Sequence, residues 1–176
     1  MTTTLRSRPE ATEFAPFYGR YVDAVPDGDI VAVLREGGRE LAGVLAAIPA
    51  SREGFRYAEG KWSVREVMGH LIDAERIFAY RALRIARGDT TPLASFDENA
   101  YVSASDSDSR TLRELAEELA VVRESTVRLF ASLPEEAWGR LGVASEKQVS
   151  VRALAYITAG HSQHHLNILR ERYLGG

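Results

Sequence analysis

The chain has 176 residues, 45% of them apolar and 27% charged, with 22 Lys and Arg against 25 Asp and Glu for a net charge of −3. That is one domain of ordinary size, too large to need staples for its core and too balanced to be disordered. No apolar run approaches the ~20 residues of a membrane span, the basic residues form no stripe that would track phosphates, and no cysteine is present. Disulfides, thiolate metal sites and a cysteine nucleophile are therefore excluded together. A metal here must be held by His, Asp or Glu, and thiol chemistry must use a thiol from another molecule.

Residues 1–28 read as an irregular arm interrupted by Pro9, Pro16, Pro26 and Gly28, with no apolar leader at Met1 to Glu10. Cytoplasm is the expected compartment. Phe14, Phe17, Tyr18 and Tyr21 are expected to lay the arm on a domain formed by residues 29–174. A first helix is expected from an Asp29 N-cap to Ile48, with Leu34, Leu41, Val44, Leu45 and Ile48 as its stripe. Gly37 and Gly38 interrupt it and allow a close neighbour.

The second helix has the sharpest start. Ser63-Val64-Arg65-Glu66 fits a capping box, and Trp62 with Val67 fits the hydrophobic staple around it. Val67, Leu71, Ala74, Phe78 and Ile85 should face inward, His70 lies on the edge of that stripe, and Gly88 is a natural stop. Arg76, Arg81, Arg84 and Arg87 are expected on a solvated face with Glu75, with Arg81 or Arg84 as the alternative contact for an anionic thiol cofactor entering the pocket. Residues 89–109 read as a long connection that holds Phe96-Asp97-Glu98-Asn99 and a Ser/Asp patch.

A third helix carries Leu112, Leu115, Leu119, Val122, Thr126 and Leu129, and Pro134 ends it. Residues 134–149, which hold Trp138, Gly139 and Gly142, are expected to be loop with one short turn, and no segment of the chain shows a period of two. Ser150 caps a fourth helix with Leu154, Ile157, Ile168 and Leu169 on its inner face. Long amphipathic helices without strands imply an all-α four-helix bundle.

Histidine is confined to His70, His161, His164 and His165. The i, i+4 spacing of His161 and His165 puts both rings on the apolar face of the fourth helix, and His70 offers a third ring from another helix. Imidazoles in an apolar stripe are costly unless their nitrogens are satisfied, by a divalent metal or by hydrogen bonds within a polar core. Both readings stand on spacing alone. Three neutral nitrogens with an open position suit Zn²⁺ or another late first-row ion, with backbone carbonyls on the outer nitrogens. His164 points away and is expected beside the site or at the surface. Asp73, one turn after His70, could orient a ligand, and Asp97 and Glu98 could close over the site and take up a proton.

The segments Gly60-Lys61-Trp62-Ser63-Val64-Arg65-Glu66-Val67 with His70-Leu71 and Asp73, then Gly160-His161-Ser162-Gln163-His164-His165, resemble the DinB-like (YfiT-type) superfamily across residues 25–172. The resemblance implies a four-helix bundle with a long crossover, commonly a homodimer. It implies one divalent ion, zinc or nickel first and iron or manganese next, held by His70, His161 and His165. For function it implies a small-molecule transferase acting with a low-molecular-weight thiol of the bacillithiol or mycothiol kind. A metal-dependent hydrolase and a non-catalytic metal-bearing binding or stress protein are the alternatives. Neither nucleic acid nor membrane is expected as a partner. Many relatives carry Gln where this chain has Ile168, so no role passes from that Gln.

Overall fold

The computed structural model describes residues 6–175. Its elements are α1 (Gly19–Asp23), α2 (Ile30–Ala46), α3 (Val64–Ala86), α4 (Glu98–Ala104), α5 (Leu112–Ala131), β1 (Leu141–Ala144), β2 (Lys147–Ser150) and α6 (Val151–Ile168), which continues as a π-turn over Leu169–Tyr173. The long helices begin where polar side chains satisfy their free N–H groups. Asp29 accepts from the Ala32 N–H, Ser150 from that of Ala153, and both Ser63/Glu66 and Thr111/Glu114 form reciprocal capping boxes.

Helices α2, α3, α5 and α6 form the expected four-helix bundle. Both α2 and α3 pack on α5 and α6, so they lie across the bundle from each other rather than side by side. Two apolar clusters fill the bundle. One joins Ile30 and Leu34 of α2, Phe78 to Ala86 of α3, Val127 and Phe130 of α5, and Val151 to Ala159 of α6. The other joins Leu41 and Leu45, Val64 to Ile72, Leu112 to Leu119, and Leu166 to Tyr173. The starts of α3 and α5 thus share one end of the bundle, so these helices run parallel. The chain between them must return along the bundle's whole length, which is the long crossover.

Between the two clusters lies a polar waist. Arg123 of α5 forks onto Glu75 of α3 through two bonds of 2.7 Å, donates to the Leu34 carbonyl of α2 at 3.0 Å, and donates to the Ser162 hydroxyl of α6 at 2.6 Å. One guanidinium therefore ties all four bundle helices, and Gly37 and Gly38 of α2 leave it room.

Several expectations need correction. Glu75 and Arg81 are each only 3% exposed, so neither belongs to a solvated face. Helix α3 packs on two neighbours and is buried round most of its girth, which a single-stripe reading misses. Residues 141–150 are not loop but a β-hairpin, with Leu141 opposite Ser150 and Ala144 opposite Lys147. Its two-residue turn, Ser145-Glu146, has φ of 53° and 62°. A primed turn of this kind normally signals itself by Asn-Gly or Asp-Gly, and here it does not. The 89–109 connection contains α4 and a parallel bridge from Leu93 to Ala144. The expected irregular arm includes α1, whose Tyr21 and Val22 join the core, and Glu13 pairs with Arg152 at the start of α6. Residues 1–5 of that arm and Gly176 lie outside the described residues.

Candidate metal centre

The capping box at Ser63 fixes where α3 begins and so sets His70 two turns in, facing α6. The i, i+4 spacing on α6 then presents His161 and His165 to it. One ring nitrogen from each of the three lies within 4.8 Å of the others, and among the described residues no acidic group joins them. His70 and His161 approach Nε2 to Nε2 at 3.0 Å, a contact in which one ring donates and the other accepts. The rings meet edge to face, with centroids 4.7 to 4.9 Å apart.

Their surroundings are aromatic. Tyr21 and Phe78 set ring edges against His161, while Trp62 lies 4.8 Å from His70 and is stacked 6.5 Å from His165. Tyr21 reaches this position because Gly160 lets α1 press on α6. A Cβ at Gly160 would stand 1.9 Å from the Tyr21 carbonyl oxygen. The expected carbonyl acceptors for the outer nitrogens are not found among the hydrogen bonds of the described residues.

Burial keeps the cluster neutral. It holds His70 down at about 4. It also holds His165 at about 3, helped by the like charge that His70 and His164 would carry if protonated and by Arg20, and it pushes His161 well below the usual range. Three imidazoles that stay deprotonated at pH 7 are competent metal donors. An all-nitrogen set without carboxylate fits a late first-row divalent ion and does not fit Mg²⁺ or Ca²⁺, which demand oxygen.

A cleft of about 240 Å³ opens beside His165, walled by Tyr57, Lys61, Trp62, Asn99 and Tyr173. The Tyr173 hydroxyl donates to the Trp62 carbonyl at 2.7 Å and thereby fixes the floor. Of the other predicted residues, His164 is half-buried against Tyr21 and His165. Asp73 makes no hydrogen bond to the rings; Arg76 and Glu118 are the charges it feels, and burial raises its pKa. Asp97 caps α4 by accepting from the Asn99 and Ala100 N–H groups at 2.9 and 3.1 Å. Glu98 is exposed, close enough to Tyr21 to help raise its pKa behind the larger effect of burial.

Trp62, Tyr21, Tyr57, Asn99 and Tyr173 are site neighbours that the sequence reading passed over. One of them left a signal. A staple between Trp62 and Val67 puts the indole on the face of α3 that His70 shares one turn later.

A family model for the DinB superfamily matches residues 34–169. The chain belongs to the DinB superfamily. Among solved structures it is similar to YfiT from Bacillus subtilis, described as a probable metal-dependent hydrolase with an unusual four-helix-bundle topology. That match has a TM-score of 0.75 at 18% identity and covers 96% of this chain and 95% of the other. A mycothiol-dependent maleylpyruvate isomerase matches with a TM-score of 0.69 at 14% identity, over 89% of this chain but only 63% of the isomerase. A DinB-like protein of Bacillus subtilis, YjoA, matches with a TM-score of 0.60 at 21% identity, over 85% of this chain and 93% of that one. Identities this low establish the fold alone. No curated protein sequence matches the chain. Among the described residues no helix is long and apolar enough to cross a membrane.

Proposed function

We propose that His70, His161 and His165 hold one divalent ion, zinc or nickel ahead of iron or manganese, and that the chain is a transferase for small molecules acting with a low-molecular-weight thiol. The observation that carries this reading is the convergence of three neutral imidazoles, His70 and His161 buried and the half-buried His165 bordering an open cleft. The thiol is favoured because the chain has no cysteine and because one structural neighbour is described as mycothiol-dependent.

When bound, the ion supplies a Lewis acid that lowers the pKa of a coordinated thiol or water. The chain's own residues do the rest. Trp62 and Tyr21 exclude water from the rings, and Lys61 and Asn99 offer a cation and an amide at the mouth for orienting a polar ligand. Glu98, free of the capping bonds that occupy Asp97, is the group assigned to take the thiol proton. The homodimer is part of the same proposal and is read by light scattering.

The deciding experiment is elemental analysis of protein purified without a nickel column, beside a His165→Ala variant. Near-stoichiometric metal in the parent and its loss in the variant are expected. A parent that stays empty after incubation with excess zinc or nickel overturns the proposal. Metal-loaded protein is then assayed for consumption of thiol by electrophiles. The description of YfiT favours hydrolysis as the second reading, and a metal-dependent hydrolytic rate without any thiol would select it. Thermal stabilisation by ligands with no product would select a binding role instead.

A further inference from the structure

A second cleft, of about 360 Å³, lies on the other side of α4 between the C-terminal half of α3 and residues 91–96. Its volume falls within the range of small-molecule sites, about 300–1,000 Å³. Arg81 is the unusual residue. It is 3% exposed, and its Nη2 donates to the Ala94 carbonyl at 2.7 Å and the Ser145 hydroxyl at 3.0 Å. Both acceptors are neutral, and among the described residues no carboxylate pairs with it. Its neighbour Arg84 differs, being neutralised by Asp89 and bonded to the Tyr80 hydroxyl. A buried guanidinium without a counter-ion is an expensive arrangement unless an anion completes it.

The walls around that charge are aromatic. The guanidinium lies 5.8 Å from the Phe96 centroid, and Phe96 packs on Tyr101 at 5.3 Å. Tyr80 and Tyr101 leave about half their surface open, at 51% and 47%. The floor is anchored, since Leu93 donates to the Val143 carbonyl at 2.9 Å and accepts from the Ser145 N–H at 3.0 Å.

We propose that this cleft is a second ligand site, taking a small aromatic carboxylate with Arg81 as anion receptor and Tyr80, Phe96 and Tyr101 as apolar walls. One uncompensated guanidinium matches one carboxylate in charge and in planar geometry. The site is separate from the histidine cleft and does not rest on the function proposed for it. Helix α4 borders both, with Asn99 on one cleft and Tyr101 on the other.

The test is calorimetric titration of the full-length protein with benzoate, and with benzyl alcohol as the uncharged analogue. Saturable benzoate binding with Kd of about 1 mM or tighter is expected. Benzyl alcohol and the Arg81→Gln variant should each weaken binding about tenfold, with part of the loss recovered in Arg81→Lys. His165→Ala should bind benzoate as the parent does. Because Arg81 also tethers the 91–96 segment, Tyr101→Ala provides a variant outside the core, and it should weaken benzoate several-fold. The proposal is overturned by no saturable binding up to about 10 mM. It is equally overturned by equal affinity for benzyl alcohol, by unchanged affinity in Arg81→Gln or Tyr101→Ala, or by loss of binding in His165→Ala.

Discussion

The histidine cluster and the Glu75–Arg123 pair sit at neighbouring levels of the same bundle, yet they meet burial in opposite ways. The imidazoles escape the desolvation penalty by giving up their protons, so three of them can crowd within 4.8 Å without repelling. The guanidinium and carboxylate rely on each other instead, with Leu34 and Ser162 accepting two further N–H groups of Arg123. A neutral cluster of ring nitrogens keeps lone pairs that could hold an ion. The ion pair is committed to partners on all four helices, so its contribution is to register: it fixes how the helices meet just beside the histidine cluster.

The sharpest way to break this comparison is to remove one half of the pair. Arg123→Ala strands a buried carboxylate and should destabilise the protein by about 3–5 kcal/mol, read from urea unfolding. The double variant Glu75→Leu/Arg123→Met should recover most of that loss, because an apolar pair of similar volume leaves no buried charge. If Arg123→Ala alone changes stability by less than about 1 kcal/mol, the pair is not the tie inferred here.

Acid should attack the other member. In metal-free protein the unfolded chain takes up a proton at His70 below pH 6.5, whereas the folded ring stays neutral down to about 4. Stability is therefore full above pH 6.5 and falls as pH drops through that window, by about 3 kcal/mol for His70 at about 1.4 kcal/mol per unit. His165, held at about 3, extends the loss further down. Unfolding measured at pH 7 and pH 4.5 should show the drop in the parent and a shallower one in His70→Gln. A parent equally stable at both values would mean that the rings titrate like exposed ones.

The two groups also differ in how far the sequence reveals them. The histidines are visible because they are few, because His161 and His165 stand one turn apart, and because the Ser63 cap sets the register of His70. Such local signals also locate the four bundle helices. Glu75 and Arg123 are 48 residues apart in sequence, and nothing local marks their pairing. Glu75 and Arg81 stand off the Val67–Leu71–Ala74–Phe78 stripe; Glu75 is buried where α3 meets α5 and α6, and Arg81 where the 91–96 segment and the Ser145 turn fold over α3. The hairpin escapes for a similar reason: Ser145 and Glu146 adopt positive φ because the Leu93 bridge and the Arg81 bond hold the turn, not because their side chains favour it. Tyr21 reads as surface packing until Gly160 is seen to admit α1.

The smallest expected effect tests how tightly the waist itself is packed. Gly43 and Gly38 both lie inside α2, and replacing either by Ala gains about 1 kcal/mol of helix propensity. At Gly43 a new Cβ meets nothing within 4 Å, so the gain should appear nearly whole in thermal unfolding. At Gly38 the same methyl would stand 2.9 Å from Cγ of Arg123. That side chain cannot swing aside without loosening its bonds to Glu75, Leu34 and Ser162, and overpacking of this kind takes back about 1–3 kcal/mol. Gly38→Ala should therefore be neutral to destabilising while Gly43→Ala stabilises, and in the Arg123→Met/Glu75→Leu background the difference between them should shrink. Equal gains at both positions would mean that Arg123 has slack, and that the helices are held in register by the two apolar clusters alone.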